Sequence, residues 1–285
     1  MIIIRLQGGL GNQLFQYAAG KALATRLNKP FKLETTTSLQ KDKRRDIALQ
    51  DMQTNFELAT YAEVKKFVSF PTLYRHQPSF FSRFGKNIYR EPFFHFDENF
   101  FRHSDPLFLD GFWQSPQYFS DIESVLRSEF QPKPDLIKDV VEKGRELEGR
   151  NSVAIHIRRG DFLNTNAAAY HGVLNAFYYE KAIRVITEKI PSASVHFFSD
   201  DIGWVKENLA VDKNAEFVSS YSNSAIEDFY LMTKCRHNII ANSSFSWWPA
   251  WLNANPDKIV VAPKKWFLDS SINTNDLIPS HWIRI

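Results

Sequence analysis

Short apolar runs alternate with stretches of helical periodicity at the start of the chain. A β-branched run over 1–6 suits a buried strand, and Leu14, Ala18 and Ala22 then recur at helical spacing. A second apolar run covers 31–34. The order of strand, glycine turn, helix and strand predicts a parallel βαβ unit at the N-terminus.

The same alternation is most regular in the second half of the chain. Apolar runs that alternate with amphipathic segments, with short connections between them, predict a doubly wound parallel sheet. The predicted strands cover 152–158, 194–199, 215–218, 238–241 and 258–262, and the predicted helices cover 175–189, 202–209, 223–234 and 245–253.

The regular pattern fails between 70 and 112, where prolines interrupt a segment rich in Phe and Tyr. We expect irregular structure with short helices there. A strand is predicted over 107–113, and a helix is predicted from the N-cap Ser115, with Pro116 at its first position, to Phe130.

A chain of 285 residues is long enough for two domains of ordinary size. A Pro-x-Pro stretch within 131–134 breaks the preceding helix, and a polar segment then leads into the next strand. We place the domain boundary within 131–151, which gives domains at 1–140 and 141–285.

Composition and net charge exclude only a few functional classes of protein. The net charge is +3 and the basic residues are scattered, which argues little for nucleic acid. Cys235 is the only cysteine, which excludes an internal disulfide and fits a reducing compartment. No apolar run approaches the roughly 18 residues of a membrane span, and Met1 does not begin a signal peptide. We expect a cytoplasmic protein, with peripheral attachment to the inner membrane left open.

The segment Ser152–Asp161, which reads Ser-Val-Ala-Ile-His-Ile-Arg-Arg-Gly-Asp, is the centre of the predicted chemistry. In a strand, its alternation sends His156 and Arg158 to one face and the β-branched residues to the other. The cluster predicts an anion-binding site at the carboxyl end of the strand. The alternative is that Arg158 and Arg159 only pair with the carboxylate of Asp161.

A glycine turn, Gly-Leu-Gly-Asn-Gln-Leu at 9–14, follows the first strand and opens a helix. With Glu34 after the second strand it resembles a dinucleotide fingerprint, but Leu14 replaces the third glycine. Gly11 still allows close backbone approach, and the Asn12 amide can bond hydroxyls or phosphate oxygens. The alternative is a tight turn with Asn12 as the helix N-cap.

Two pairs of carboxylates occur in the second half. Asp200 can read the N–H groups of guanine or hold ribose hydroxyls, whereas Asp201 can instead cap the following helix. Glu227 and Asp228 can contact ribose or be solvated helix residues. The chain contains no Asp-x-Asp motif and no Cys or His spacing typical of zinc.

A serine-rich turn begins the segment 242–252, Asn-Ser-Ser-Phe-Ser-Trp-Trp-Pro-Ala-Trp-Leu. Ser243 and Ser244 present hydroxyls and amides at a predicted helix start, which is a second anion cradle. Pro249 is expected within the first turn of that helix. The alternative is a capped helix whose tryptophans pack in the core, namely Trp247, Trp248 and Trp251.

Four motifs together resemble the bacterial α-1,2-fucosyltransferases of glycosyltransferase family 11. They are Gly-Gly-Leu-Gly-Asn-Gln-Leu-Phe-Gln-Tyr-Ala at 8–18, His-Ile-Arg-Arg-Gly-Asp-Phe at 156–162, Phe-Ser-Asp-Asp at 198–201 and Asn-Ser-Ser-Phe-Ser-Trp-Trp at 242–248. The stretch Leu-Asp-Gly-Phe-Trp-Gln-Ser at 109–115 is also similar to that family.

The resemblance implies an α/β, GT-B-like fold with two Rossmann-like domains facing a central cleft, the acceptor-side domain first and the GDP-sugar-binding domain second. It implies inverting transfer of L-fucose from GDP-β-L-fucose to the 2-hydroxyl of a terminal β-galactoside, without a metal or other cofactor. GDP-fucose and the galactoside glycan are then the binding partners, with no nucleic acid.

The resemblance also implies roles for individual residues. Arg158 holds the β-phosphate, His156 lies near the nucleotide and Asp200 reads guanine. The full set of donor-binding residues is Gly11, Asn12, His156, Arg158, Asp200, Ser243, Ser244 and Phe245. Without a metal, Arg158 meets the charge that develops on the leaving group, which makes it a catalytic candidate. Asp161 is the candidate general base, or else it positions the arginines.

Three other functions stay open at this stage. A transferase with another nucleotide sugar would use the same fold. A dinucleotide-dependent oxidoreductase would use the glycine turn at 8–13, although Leu14 and the arginine pair argue against it. A noncatalytic glycan-binding protein would use the aromatic segment 80–101 for stacking, unless those rings pack in the core.

Overall fold

A computed structural model describes residues 1–37, 47–160, 170–210, 215–220, 222 and 224–285. The chain forms two compact units, Met1–Gln131 with Asn273–Leu277, and Pro132–Ile272 with Ile278–Ile285. The boundary between the two units follows Gln131, which is the first residue of the interval 131–151 in which we predicted the boundary. The segment 132–140, which we had assigned to the first domain, groups with the second unit.

The first unit contains a five-stranded parallel sheet with the strand order β3-β2-β1-β5-β4. Its strands are β1 (Ile2–Arg5), β2 (Phe31–Glu34), β3 (Glu57–Leu58), β4 (Ile88–Arg90) and β5 (Leu107–Asp110), and its helices are α1 (Leu10–Leu27), α2 (Tyr61–Lys65), α3 (Pro71–Tyr74), α4 (Pro78–Phe81) and α5 (Glu123–Glu129). The predicted βαβ unit is therefore present.

Helix α1 packs closely on the sheet at a position that the sequence did not suggest. A Cβ atom on Gly20 would lie 2.5 Å from the Phe31 ring and 3.1 Å from Ile4, so only glycine fits there. Leu14, in contrast, is fully buried without blocking the helix. Gly20 thus provides the close helix–strand contact that Leu14 was expected to obstruct.

The predicted helix from Ser115 to Phe130 is interrupted. Ser115 does act as an N-cap, because its hydroxyl accepts a hydrogen bond from the Gln117 N–H at 3.3 Å. The segment then forms two short 3₁₀ helices, Pro116–Tyr118 and Ser120–Ile122, before α5. Phe119 leaves the helical region between them, with φ −143° and ψ 15°.

The second unit contains a six-stranded parallel sheet with the order β11-β10-β9-β6-β7-β8. Its strands are β6 (Ser152–Ile157), β7 (Ser194–Ser199), β8 (Glu216–Phe217), β9 (His237–Ile239), β10 (Val260–Ala262) and β11 (Ile283–Arg284), and its helices are α6 (Val141–Glu148), α7 (Ala176–Thr187), α8 (Ile202–Asn208), α9 (Ala225–Lys234) and α10 (Ser244–Leu252). Counted within the unit, this is the Rossmann order.

The two faces of β6 differ as predicted. Val153, Ile155 and Ile157 belong to the buried cluster that includes Tyr179 and Ile186 of α7. His156 lies on the other face, where its ring centroid is 5.5 Å from that of Phe245. The apolar face therefore anchors the strand, and the opposite face is free to carry polar side chains towards the carboxyl edge.

Candidate active site

The site in the second unit lies at the point where the strand order reverses. β6 and β9 are neighbours in the sheet, and the chain leaves them towards opposite edges. Ile155 pairs with Ile239, and the ring centroids of His156 and Phe245 lie 5.5 Å apart, so the end of β6 lies close to the start of α10. Ligands of open α/β sheets bind beyond the carboxyl ends of the strands at such a switch point. The arginine and serine motifs therefore flank one crevice.

Arg158 and Arg159 pair with the carboxylates that follow β7. The Arg158 guanidinium lies 3.1 Å from Asp200, and the Arg159 Nε lies 3.3 Å from Asp201. Asp200 also accepts a hydrogen bond from the Arg159 backbone N–H at 2.9 Å. A Cβ atom on Gly160 would lie 2.9 Å from the Asp200 carboxylate, so the glycine admits this contact. Arg158 remains 30% exposed, which leaves it accessible to a ligand.

The pairing with Asp161 that we considered for the two arginines cannot be placed, because Asp161 lies outside the described residues. Asp201 has the capping role that the sequence suggested, since its carboxylate accepts from the Trp204 N–H at 3.0 Å. The Arg159 guanidinium stacks 4.0 Å above the Trp204 ring. Arg159 is therefore held against the protein, whereas Arg158 faces the crevice edge.

His156 is buried and neutral. Burial and the nearby Arg158 charge lower its pKa to about 3. Its Nδ1 atom has no hydrogen-bond partner within the described part of the chain. A neutral imidazole can bond a ligand hydroxyl or N–H, but it cannot supply positive charge at neutral pH.

Helix α10 begins at the serine turn. Ser243 is the N-cap of this helix, and its hydroxyl accepts a hydrogen bond from the Phe245 N–H at 3.3 Å. The alternative that this serine caps a helix is therefore confirmed. Ser243, Ser244 and Phe245 are all partly exposed at this helix start. The first turn of a helix carries unsatisfied N–H groups and a partial positive charge, which favours an anion.

The rest of α10 is structural. All three tryptophans are buried, as the core alternative for this segment predicted. Pro249 lies inside the helix and not in its first turn, so that expectation was wrong. Lys258 donates to the carbonyls of Ala250, Trp251 and Asn253 at 2.8, 3.0 and 2.8 Å. These bonds stabilise the C-terminal end of the helix.

Glu227 and Asp228 are not solvated helix residues. Glu227 is buried, and Asp228 accepts hydrogen bonds from Ser219 at 2.6 Å and Ser222 at 2.5 Å. Burial raises the pKa of Asp228. Ser219 also accepts from the Ser199 N–H at 3.0 Å, so Asp228 supports the end of β7 just before Asp200.

The glycine turn of the first unit lies at the corresponding switch point, between β1 and β5. Gly9, not Asn12, occupies the N-cap position of α1. Asn12 instead accepts a hydrogen bond from the Gln114 amide at 2.8 Å, and Gly11 is buried beside it. Gly8 has φ +78°, and a Cβ atom there would lie 2.4 Å from the Asn12 amide. These contacts fix the Asn12 side chain at the carboxyl edge of the first sheet.

Four charged residues that end strands of the first sheet were not predicted as a group. Arg5 bonds to Asp110 at 2.9 Å and to the Thr37 hydroxyl at 3.0 Å. Asp110 also accepts from Tyr74 at 2.8 Å and from Arg90 at 3.2 Å. The fourth residue, Glu34, is fully buried, and its carboxylate accepts hydrogen bonds from Thr36 and Thr37. The carboxylate is therefore not available to a ribose. Glu34 was the acidic residue of the possible dinucleotide fingerprint, so its burial argues against a dinucleotide-binding site.

Glu91 follows β4 and is held by the turn after β5. Its two carboxylate oxygens accept from the Phe112 and Trp113 N–H groups at 2.7 and 2.9 Å. Burial raises the pKa of Glu91 to about 7. Trp113 has φ +55°, a strained conformation for a tryptophan, and Glu91 stabilises the backbone there.

The raised pKa of Glu91 predicts a loss of stability as the pH rises. Below the ordinary value of 4.5 the group is protonated in both states, and between 4.5 and about 7 only the unfolded chain releases the proton. The free energy of unfolding should therefore fall by roughly 3 kcal/mol across this range relative to Glu91→Gln. Urea denaturation of both proteins at about pH 5 and about pH 8 measures the difference. A difference that does not change with pH would contradict the prediction.

Among the described residues, no group of three or more His, Cys, Asp or Glu side chains is arranged to hold a metal ion. No helix in the described part of the chain is long and apolar enough to cross a bilayer. At the switch point of the second unit, the charge available to an anion comes from Arg158 and the start of α10. This arrangement is suited to a diphosphate.

Two parallel Rossmann-type sheets with polar motifs at the carboxyl ends of their strands are typical of GT-B-like glycosyltransferases. The chain belongs to glycosyl transferase family 11, whose family model matches residues 1–285. The resemblance on which the sequence analysis relied is confirmed.

Similar proteins of known annotation include bacterial and animal transferases. The chain is 36% identical to the O-antigen biosynthesis glycosyltransferase WbnK of Escherichia coli, over 98% of this chain and 99% of that protein. It is 32% identical to an alpha-1,2-colitosyltransferase of Escherichia coli, over 100% and 99%. A galactoside 2-alpha-L-fucosyltransferase of Caenorhabditis elegans is 27% identical, over 91% and 71%.

Solved structures support the GT-B-like α/β fold. The fucosyltransferase NodZ from Bradyrhizobium matches with a TM-score of 0.50 and 14% identity, over 87% of this chain and 92% of that chain. A mutant of Arabidopsis thaliana FUT1 in complex with GDP matches with a TM-score of 0.53 and 12% identity, over 92% and 70%. The predicted fold class is therefore confirmed.

Proposed function

We propose that this family 11 glycosyltransferase transfers L-fucose from GDP-β-L-fucose to the 2-hydroxyl of a terminal β-galactoside, forming an α-1,2 linkage with inversion. One observation carries the proposal: β6, which ends just before Arg158, meets the start of α10 at the switch point of the second sheet, where the ring centroids of His156 and Phe245 lie 5.5 Å apart. The similarity to the fucosyltransferase from Caenorhabditis elegans supports the choice of sugar.

The proposed mechanism follows from charge. Attack of the acceptor hydroxyl at the anomeric carbon breaks the bond to GDP, and negative charge grows on the β-phosphate. Arg158 and the N–H groups at the start of α10 would stabilise that charge. His156 and Asp200 would bind the nucleoside, with Ser243, Ser244 and Phe245 at the phosphates. Asn12 and Gly11 would contact the donor from the first unit.

The proton of the acceptor hydroxyl needs a base in the transition state. Asp161 remains our proposed base, with positioning of the arginines as its alternative role. Loss of a general base costs typically 10² to 10⁴ in rate, so an Asp161→Asn enzyme within tenfold of wild type would exclude that role. We also propose that no metal is required, because Arg158 and helix amides would supply the positive charge.

Colitosyl transfer is the second candidate, because the relative that is 32% identical over the whole chain carries that name. Colitose is fucose without its 3-hydroxyl. A site that hydrogen-bonds this hydroxyl rejects the deoxy sugar by about 10⁴ to 10⁵, whereas a site that does not contact it discriminates weakly. The ratio of kcat/KM for the two GDP-sugars therefore reports whether the hydroxyl is bound.

The test combines the purified protein with lactose, EDTA and one donor at a time: GDP-fucose, GDP-colitose or a UDP-sugar. Mass spectrometry and NMR identify the product and its linkage. We expect α-1,2-fucosylated lactose in EDTA at the rate seen with added Mg²⁺. A product from GDP-colitose alone would favour the second candidate. Product from a UDP-sugar alone would overturn the donor class, and loss of turnover on chelation would overturn metal independence.

A further inference from the structure

An exposed apolar patch lies on the first unit, and none of its residues has a role in the proposed transfer. It consists of Phe70, Leu73, Phe80 and Phe84, which are 50%, 46%, 49% and 52% exposed. We propose that this aromatic patch and the basic side chains around it dock the protein on the surface of a bilayer that contains anionic phospholipids.

The patch is one continuous and well-anchored surface. Phe81 contacts Phe70, Phe80 and Phe84, with ring centroids 6.2, 5.1 and 6.3 Å apart, and Phe80 lies 5.5 Å from Phe84. Phe81 itself packs against the buried cluster that contains Phe67. The inner ring thus fixes the outer rings, which are exposed and lie before α3, on α4 and on the 3₁₀ helix that follows it.

The charge around the patch has a single sign. The segment 65–86 contains five Lys and Arg residues and no Asp or Glu. The net charge of this segment therefore exceeds the net charge of +3 for the whole chain. Lys65, Lys66, Arg83 and Lys86 are exposed, and none of them forms an ion pair with another described residue.

Rings flanked by unpaired cations fit an anionic membrane surface. Aromatic side chains enter the headgroup region, and each basic side chain near anionic lipid strengthens binding about fivefold. A two-fold contact between copies would place the same cations of both chains against each other, which disfavours self-association. The charge complementarity thus selects the lipid surface as the occupant of the patch.

Sedimentation with vesicles tests the proposal. The vesicles contain either phosphatidylcholine alone or phosphatidylcholine with phosphatidylglycerol. We expect wild type to bind only the anionic vesicles, and to be released by high salt. Phe80→Ser/Phe84→Ser should weaken binding by at least about tenfold, and Arg83→Glu/Lys86→Glu by at least about 25-fold.

Matched variants on α7 of the second unit and on the residues just after it serve as controls. Phe177→Ser removes a ring that is 71% exposed, and Lys181→Glu/Lys189→Glu makes the same change in net charge as the patch variant. Both should bind anionic vesicles as wild type does. Thermal unfolding and transfer to a free oligosaccharide should be unchanged in all variants, which shows that the patch variants fold.

Three results would overturn the proposal: no binding of wild type to anionic vesicles, equal loss of binding in patch and control variants, or a patch variant that changes only the oligomeric mass in light scattering. Vesicle binding needs no sugar nucleotide. A failure of the proposed fucosyl transfer therefore leaves this test intact, and a failure here leaves the transfer assay intact.

Discussion

Arg158→Ala should lower kcat by on the order of 10²- to 10³-fold, which corresponds to about 3 to 4 kcal/mol of transition-state stabilisation. The residue follows the carboxyl end of β6, and its guanidinium is partly exposed and held 3.1 Å from Asp200. The effect should fall mainly on kcat, because the charge it meets is largest when the bond to GDP breaks.

Initial rates at saturating GDP-fucose measure this effect. Arg184→Ala, which removes an exposed arginine from α7, is the matched control and should retain the wild-type rate. Arg158→Lys should recover part of the loss, since lysine keeps the charge without the planar pair of donors. An unchanged kcat in Arg158→Ala would remove the basis of the proposed mechanism.

Asp110→Ala should lower the free energy of unfolding of the first unit by about 3 to 5 kcal/mol, because it leaves a buried charge without its partner. Arg5 and Asp110 are both about 5% exposed, and the carboxylate also accepts from Tyr74 and Arg90. Removal of the carboxylate takes away the bonds of three donors at once.

Urea denaturation monitored by fluorescence measures this loss. The control is Glu142→Ala, which breaks the exposed pair with Arg145 and should cost less than about 1 kcal/mol. Asp110→Asn keeps the shape and an acceptor oxygen, so it should be intermediate between wild type and Asp110→Ala. A loss below about 1 kcal/mol for Asp110→Ala would show that the network does not stabilise the fold.

The buried parallel strands could be predicted because such strands read as continuous apolar runs. β6 and β7 were found nearly to the residue for this reason. The strands β3, β4 and β11 were missed, since they are short and exposed or only partly buried. Tertiary contacts decide such segments, and the local sequence does not contain them.

The site was predicted as far as the motifs follow strands. Parallel strands carry their carboxyl ends to one edge, which brings Arg158 and Asp200 into contact and makes β9, the strand before Ser243, a neighbour of β6. The network of Arg5 and Asp110 was missed because a single charged residue after an apolar run looks like the end of a buried segment. Only the sheet order reveals that these charges are neighbours. The motifs that would bind the nucleotide do not indicate the sugar either, because GDP-fucose and GDP-colitose have the same nucleotide.

The pairing of β6 on both of its edges determines when the candidate site of the second unit is lost during unfolding. The strand has β7 on one side and β9 on the other, and all six of its residues are buried. Amide hydrogens of such a strand exchange with deuterated solvent only when the whole unit opens. We therefore expect Arg158, the proposed phosphate-binding residue that follows this strand, to keep its backbone position until global unfolding. Heating should then end the proposed phosphate binding and the protection of the slowest-exchanging amides in one step.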